Sequence, residues 1–389
     1  MPLDTTWRKM CSYPLDTYIG RSVNECLART NWHQLCLLAS SLRQGVPCRV
    51  LPELKNGLHH LVRLLAFDDG TTWIARVQMH TSTQNSALLL QSEVDTMTLI
   101  RQRTSIPVPT VYAYEVDTRN PTSAAFILMQ VVSGNVATDS DGGYQVHQGQ
   151  IPLYRRPSFY LAVAKIQVQM TSVRLPLIGM VTQDSITGNY IVGPFPHLGG
   201  PFHTATDFIK AWARHSCFPL SDDAVDRIPS AALRSRILTS IQAFPNELAS
   251  SAADLITHND GPFPITHTDF FHSNIIVDSK YHIQAVIDWE GACTMPWELV
   301  EPPLFLETVP PELDAPNNYD ENGVPVDQDT RQRWDDRRQY EKLVAEMELE
   351  TQGDNMLSLT LSNRRHQKLA YAMRVYTNPG KLLFYDRVI

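Results

Sequence analysis

The spacing of apolar residues in the first part of the chain predicts a helix followed by a small sheet. Apolar residues recur at helical spacing from Trp32 to Leu42, which predicts a helix from Asn31 that Gly45 ends. Alternating and β-branched runs follow, and a turn at Asn56-Gly57 separates the first two of them. The runs predict strands over residues 48–55, 58–67 and 71–79.

A second amphipathic stretch predicts a helix over residues 85–103 and contains a carboxylate inside its apolar stripe. Leu89, Glu93, Met97 and Ile100 recur at steps of three and four residues, so all four share one helix face. A carboxylate on a buried face needs a cation beside it. The alternative is that Glu93 lies at the edge of the stripe and reaches water.

The remaining pattern is mainly helical. A continuous apolar strand is predicted over residues 124–132, and Ser133-Gly134-Asn135 ends it. A hairpin is predicted over residues 178–195, between helical segments. The helical segments begin at Pro157 and continue over residues 206–215, 230–244, 328–350 and 357–376. Strands in the first part and helices in the second predict an α+β fold.

One strand-turn-strand segment, residues 263–290, carries polar groups at the ends of its strands. The run from Ile275 to Val277 and the alternating run from Ile283 to Ile287 predict a hairpin around a polar turn. Asn274 precedes the first strand and Asp288 follows the second. The open end of the hairpin therefore places these two side chains next to each other.

The same segment contains H-x-D-x-x-x-x-N, formed by His267, Asp269 and Asn274. Phosphoryl transfer needs a carboxylate that orients the attacking hydroxyl, and oxygen ligands that hold Mg²⁺ on the triphosphate. Asp269 fits the first role, whereas Asn274 and Asp288 fit the second. The alternative is a surface hairpin in which these residues only cap and turn the chain.

With these residues the chain resembles the aminoglycoside phosphotransferases and their choline-kinase-like relatives, in particular the fungal members. The family has an H-G-D-x-x-x-x-N loop and I-D-W-E or I-D-F-x in place of the kinase D-F-G, and this chain has Ile287-Asp288-Trp289-Glu290. Thr268 replaces the usual Gly, and Phe271 stands where a His is frequent. The resemblance implies a protein-kinase-like two-lobed fold: an N-terminal helical extension (1–45), an antiparallel-sheet nucleotide-binding N-lobe (46–133) and a mainly helical catalytic and substrate-binding C-lobe (134–389).

The resemblance also implies how ATP is held. Arg76 stands where kinases have the strand lysine that binds the α- and β-phosphates, and Glu93 stands where a glutamate positions that lysine. Asn56-Gly57 matches the phosphate-covering loop, with an ordinary hairpin turn as the alternative. A solvated strand residue is the alternative for Arg76.

Two further roles are implied by the resemblance alone. Backbone groups at Met129, Gln130 and Val131, in the crossover between lobes, would bind adenine. His267 would brace the catalytic loop by hydrogen bonding. Zinc binding is disfavoured because the histidines nearby have no helical i, i+4 spacing and no accompanying cysteine.

Composition limits the class of partner and the compartment. The net charge of −8 and the pI near 5.9 give no basic footprint for nucleic acid. The six cysteines show no C-x-x-C spacing, and no apolar run approaches a membrane span or a secretory signal. We therefore expect a cytoplasmic protein with reduced thiols and no nucleic acid or membrane partner. Its oligomeric state is not predicted.

These observations predict an ATP- and Mg²⁺-dependent phosphotransferase that acts on a hydroxyl of a small molecule. Asp269 and His267 form the catalytic set, Gly57, Arg76, Glu93, Met129, Gln130 and Val131 the nucleotide set, and Asn274 and Asp288 the metal set. The rival hypothesis is a catalytically silent protein of the same fold that binds nucleotide or a protein partner. A protein kinase is disfavoured because no A-P-E element follows Asp288. The sequence names neither the acceptor nor the choice between ATP and GTP.

Overall fold

The structure is a computed structural model that describes residues 8–9, 17–219, 223–224, 227–228, 230–377 and 384–389. The chain divides into two compact units, each formed by two stretches of sequence. The first unit contains residues 1–149 and 273–291, and the second contains residues 150–272 and 292–389. The predicted boundary at residue 133 differs from this division. The first unit continues to residue 149, and it also includes residues 273–291, which contain the hairpin predicted from Ile275 to Ile287.

A six-stranded antiparallel sheet forms the centre of the first unit, in the order β1-β2-β3-β4-β6-β5. The three predicted strands and the predicted crossover strand are all present, with ends that differ by one or two residues. The strands are β1 (Arg8–Lys9), β2 (Cys48–Asn56), β3 (His60–Phe67), β4 (Thr72–Gln78), β5 (Val111–Glu115) and β6 (Phe126–Gln130).

Helices cover both faces of this sheet. They are α1 (Tyr18–Arg29), α2 (Trp32–Leu42) and α3 (Gln84–Arg103). Ala75 and Leu128 belong to a core with α1 and α2, whereas Ile74 and Ile127 pack with α3. Because side chains alternate along a strand, Arg76 shares the face of Ile74 and is directed toward α3.

The hairpin predicted within residues 263–290 pairs with a third strand, and together they form a small sheet in the order β13-β12-β7. Its strands are β7 (Asn135–Val136), β12 (Ile275–Val277) and β13 (Ile283–Val286), and the short helix α4 (Gly143–His147) follows β7 in the chain. Gly134 has a φ of +125°, and a Cβ atom there would lie 2.2 Å from the carbonyl oxygen of Val277. Only glycine therefore allows β7 to approach β12 this closely.

The second unit is mainly helical. Its helices are α5 (Arg156–Ser172), α6 (Ala205–His215), α7 (Ala231–Leu255), α8 (Gln328–Glu350), α9 (Met356–Ser362) and α10 (Arg364–Tyr376). A five-stranded sheet in the order β10-β9-β14-β11-β8 accompanies them. Its strands are β8 (Arg174–Leu175), β9 (Gly179–Gln183), β10 (Tyr190–Gly193), β11 (Phe263–Thr266) and β14 (Cys293–Thr294).

Two predicted helix boundaries are wrong, each for a local reason. Helix α7 continues past Pro245. Proline has no N–H group to donate to the carbonyl oxygen of Ile241, four residues earlier, and the hydroxyl of Tyr376 donates to that oxygen instead. The predicted helix over residues 357–376 is two helices. Asn363 ends the first and caps the second, since its side-chain oxygen accepts hydrogen bonds from the N–H groups of Arg365 and His366.

The predicted α+β class is confirmed, with an antiparallel sheet in the first unit and mainly helices in the second. The described cysteines, at positions 26, 36, 48, 217 and 293, are free thiols, and Cys11 lies outside the described residues. No helix within the described ranges combines the length and hydropathy that a bilayer crossing requires.

Candidate functional site

Arg76 lies at the centre of a cluster of carboxylates in the first unit. Its guanidinium group donates to Glu93 at 2.5 Å and to Asp288 at 2.7 Å, and lies 3.4 Å from Glu290. The Arg76 side chain is 11% exposed, so it is not the solvated strand residue of the alternative hypothesis. Burial opposes the charge on Arg76, but Glu93, Asp288 and Glu290 more than compensate and raise its pKa.

Glu93 lies on α3 and accepts a hydrogen bond from Arg76 on β4. Its side chain is 2% exposed, so the residue lies inside the apolar stripe and not at its edge. Burial raises the pKa of Glu93 to about 7, while the charge of Arg76 and the hydrogen bond from it oppose the rise. The hydrogen bond from Arg76 to this buried carboxylate orients the guanidinium group.

Asp288 is presented by the end of the hairpin. The pairing of Ile275 with Val286 continues into a hydrogen bond from Ile287 N–H to the carbonyl oxygen of Asn274, which brings Asn274 to the same end. Asp288 follows with a φ of +62°, a left-handed conformation that Asp tolerates better than most residues. The buried indole of Trp289 donates to the carbonyl oxygen of Val286 and fixes this turn.

The residues at this end of the hairpin have the chemistry of a Mg²⁺ site. Asp288 is 45% exposed, so its carboxylate is accessible although one oxygen contacts Arg76. Asn274, which is 8% exposed, lies at the same end of the hairpin through the hydrogen bond between its carbonyl oxygen and the N–H group of Ile287. Mg²⁺ is usually held by one or two protein oxygen ligands together with substrate phosphates and water, which two such residues can provide. No group of three or more His, Cys, Asp or Glu side chains suited to a metal occurs among the described residues.

Two residues of this cluster were not assigned from the sequence. Glu290 lies between Arg76 and His60, with its Oε2 atom 3.5 Å from His60 Nδ1. His60 is 7% exposed, and burial lowers its pKa well below the usual value. The I-D-W-E run contained Glu290, but no signal in the sequence indicated His60.

The remaining motif residues lie in the second unit. The Nδ1 atom of His267 accepts a hydrogen bond of 3.3 Å from the N–H group of Asp269, which requires that nitrogen to be unprotonated. Asp269 itself is exposed. The loop is held by Phe270, whose carbonyl oxygen accepts from the N–H group of Leu304.

A cavity of about 260 Å³ lies beside this loop, inside the second unit. His267 and Thr268 form part of its wall, and α5, α6, α10 and the segment over residues 295–304 form the rest. Glu301 and Arg374 contribute charged groups to the wall. They form a bidentate pair, with Arg374 donating to the two carboxylate oxygens at 2.7 and 3.2 Å.

The other predicted nucleotide residues are less distinctive. Gly57 lies in the turn between β2 and β3, where its N–H group donates to the carbonyl oxygen of His60, and a Cβ atom there would meet nothing within 4 Å. Met129 is buried beside α3, and Gln130 is exposed. The N–H group of Gln130 already donates to Thr110, so this amide is committed within the sheet.

Comparison with known families gives a match over most of the chain. The model of the phosphotransferase enzyme family matches residues 50–298, a range that includes Arg76, Glu93 and the whole segment from His267 to Asp288. The match covers 249 of the 389 residues.

The chain is also similar to curated proteins from yeasts, at low sequence identity. Altered inheritance of mitochondria protein 9, mitochondrial, from Saccharomyces cerevisiae strain RM11-1a is 22% identical, over 71% of this chain and 52% of that protein. The protein of the same name from Kluyveromyces lactis is 20% identical, over 69% of this chain and 51% of its own length. The chain thus spans about half the length of these relatives.

Solved structures to which this chain is similar include a macrolide and an aminoglycoside phosphotransferase. The macrolide 2′-phosphotransferase MphH from Brachybacterium faecium has a TM-score of 0.43 at 15% identity, over 90% of this chain and 99% of that chain. A thermostable mutant of aminoglycoside phosphotransferase APH(4)-Ia, in ternary complex with ADP and hygromycin B, has a TM-score of 0.42 at 17% identity, over 88% and 92%.

The prediction of a cytoplasmic location is contradicted by the yeast relatives, whose names describe them as mitochondrial. The prediction depended on the absence of an apolar segment near the N-terminus. Mitochondrial targeting segments are amphipathic and Arg-rich, so a search for apolar runs does not detect them.

Proposed function

Because the chain belongs to the phosphotransferase enzyme family, we propose that it transfers the γ-phosphate of ATP, in a Mg²⁺-dependent reaction, to a hydroxyl of a small molecule. The observation that supports this most strongly is the hydrogen bonding of Arg76 to both Glu93 and Asp288. Asp288 is 212 positions from Arg76 in the chain, so no local structural requirement explains their meeting. Phosphoryl transfer requires such an arrangement of an oriented cation beside a carboxylate that can hold a metal.

Each residue has a distinct role in the proposal. Arg76 binds the α- and β-phosphates, and Glu93 holds the guanidinium group in place. Asn274 and Asp288 hold Mg²⁺, which neutralises the charge of the phosphates. Asp269 orients the acceptor hydroxyl and receives its proton, while His267 positions Asp269 through the hydrogen bond to its N–H group. Gly57 and the backbone at Met129 and Val131 complete the nucleotide site, whereas the N–H group of Gln130 is committed to the carbonyl oxygen of Thr110 and takes no part.

The direct test is the melting temperature of the purified protein with Mg²⁺ alone, ATP alone, and both together. A ligand that binds the folded state raises the melting temperature by mass action, whether or not the acceptor is known. We expect a rise that requires both Mg²⁺ and ATP, that is lost in Asp288→Ala, and that is retained in Asp269→Ala.

The same experiment separates this proposal from the rival. A rise with ATP that is independent of Mg²⁺ and insensitive to Asp288→Ala would favour a silent protein that binds nucleotide. No rise at millimolar nucleotide would contradict nucleotide binding altogether, and GTP in place of ATP tests the choice of base.

A further inference from the structure

The cavity in the second unit has charged side chains in its wall that pair with each other. The charged side chains of its wall, within the part of the chain that the structure describes, are Glu301 and Arg374. They neutralise each other through the bidentate pair. Glu307 also contacts Arg374, at 2.7 Å, but does not line the cavity. The wall itself therefore carries no net charge.

Several polar side chains of the wall are already engaged within the protein. The amide of Gln167 donates to the carbonyl oxygen of Glu301 and accepts from the hydroxyl of Tyr340. The hydroxyls of Thr171 and Thr377 donate to carbonyl oxygens of their own helices. A polyol or polyamine would lose its hydration here without gaining matching hydrogen bonds, which costs binding free energy.

The rest of the wall is apolar and includes aromatic rings. Phe208, Trp212, Met295, Leu299 and Met373 are among the residues that line it. An apolar cavity of about 150 Å³ can hold benzene, so a cavity of about 260 Å³ encloses roughly ten non-hydrogen atoms. A compound of several linked aminosugar rings exceeds this volume.

We propose that this cavity binds the acceptor, and that the acceptor is a neutral, mainly apolar alcohol whose enclosed part has about ten non-hydrogen atoms. The inference rests on the proposed phosphotransferase function and adds the chemical class of its acceptor. The carrying observation is the juxtaposition of His267 and Thr268, in the loop that leads to Asp269, with an apolar wall whose charges are paired. Such a wall binds apolar surface and offers no free carboxylate to a cation.

The test compares two alcohols that differ only in charge. Choline and its neutral carbon isostere, in which carbon replaces the quaternary nitrogen, have the same shape, and both fit within the cavity volume. ADP formation with Mg²⁺ and ATP is measured for each, together with binding by calorimetry. We expect kcat/KM for the neutral isostere to exceed that for choline by at least about tenfold. Equal values, a preference for choline, or no binding of either alcohol would overturn the proposal.

Variants of Leu299, a residue of the cavity wall, test whether the alcohol binds in this cavity. Leu299→Trp fills the cavity and is expected to raise KM for the neutral isostere by about tenfold or more. Leu349→Trp, at a position on α8 that is 69% exposed, is the control and should leave KM unchanged. Leu299→Asp places an unpaired carboxylate in the wall and should shift the ratio of the two alcohols toward choline. Should the Leu299 variants fail to fold, Thr377→Trp replaces them. Thr377 is exposed, lies directly after α10 and lines the cavity, so the larger side chain narrows the cavity and should also raise KM for the neutral isostere.

The failure of this inference differs from the failure of the proposed function. The rise in melting temperature with Mg²⁺ and ATP is measured first, without any alcohol. If it is absent, the phosphotransferase proposal fails. If it is present and the alcohols behave contrary to expectation, only the chemical class of the acceptor is wrong.

Discussion

Each unit contains an arginine paired with a glutamate; the pair is buried in the first unit and half-buried in the second, and the two pairs have different surroundings. Arg76 and Glu93 lie beside Asp288 and Glu290, so three carboxylates share one guanidinium group. Arg374 and Glu301 lie in an apolar wall, and only Glu307 is added. The first cluster has two carboxylates in excess of its cation, one of them the exposed Asp288, whereas the second has one, Glu307, which does not line the cavity. Pairing alone therefore does not distinguish the two clusters; the number and exposure of the additional carboxylates do.

The largest difference between the two clusters is expected in turnover, when one additional carboxylate is removed from each. Asp288→Asn removes the proposed Mg²⁺ ligand beside Arg76, and we expect turnover to fall by about 10³-fold or more. Glu307→Gln removes the corresponding carboxylate beside Arg374, and we expect a change of less than about threefold. ADP formation at saturating Mg²⁺ and ATP measures both. Similar losses in the two variants would remove the functional distinction between the clusters.

A second comparison removes the arginine of each pair and measures stability. Arg76→Met leaves Glu93, which is 2% exposed, without its cation, and we expect a loss of about 3–5 kcal/mol at neutral pH. Arg374→Met leaves Glu301, which is 17% exposed and faces a cavity, so the loss should be about 1–3 kcal/mol. Urea unfolding followed by circular dichroism measures both.

The double variant Arg76→Met/Glu93→Gln is the control for this comparison. It removes the unpaired charge and should recover most of the stability. A greater loss in Arg374→Met than in Arg76→Met would contradict the difference in burial on which the expectation depends.

A smaller effect concerns pH. The pKa of Glu93 is raised by burial to about 7 from 4.5, so the folded state binds a proton in this range that the unfolded state has released. The contribution of Glu93 to stability is therefore fully present below pH 4.5 and is lost as the pH rises through about 7. Across this window the free energy of unfolding should fall by about 3 kcal/mol relative to Glu93→Gln.

Unfolding of the native protein and of Glu93→Gln in urea at several pH values measures this difference. Glu301, whose pKa burial also raises, is present in both proteins and cancels in the comparison. Parallel stability curves would show that Glu93 stays ionised throughout. Nucleotide affinity should change in the opposite direction and increase toward alkaline pH, because ionised Glu93 is the form that orients Arg76.

Much of the first unit followed from local patterns. The four strands predicted for the large sheet and α3 were predicted within about two residues, and the position of Glu93 in an apolar stripe correctly indicated a buried carboxylate. The hairpin also followed from alternation, including the position of Asn274 and Asp288 at one end. Where prediction failed, a partner distant in sequence or an overlooked cap decided the outcome. Tyr376 allows α7 to pass Pro245, and Asn363 divides one predicted helix into two.

The sequence by itself determined the types of element, the family and the chemical groups available, because hydrophobic period and motif spacing are local properties of the chain. It did not determine which groups meet. The bond between Arg76 and Asp288, the inclusion of His60 through Glu290, and the pairing of Glu301 with Arg374 in an apolar wall join residues from 73 to 230 positions apart. These contacts depend on how strands and helices pack, and packing alone sets the burial and local charge that give each carboxylate its role.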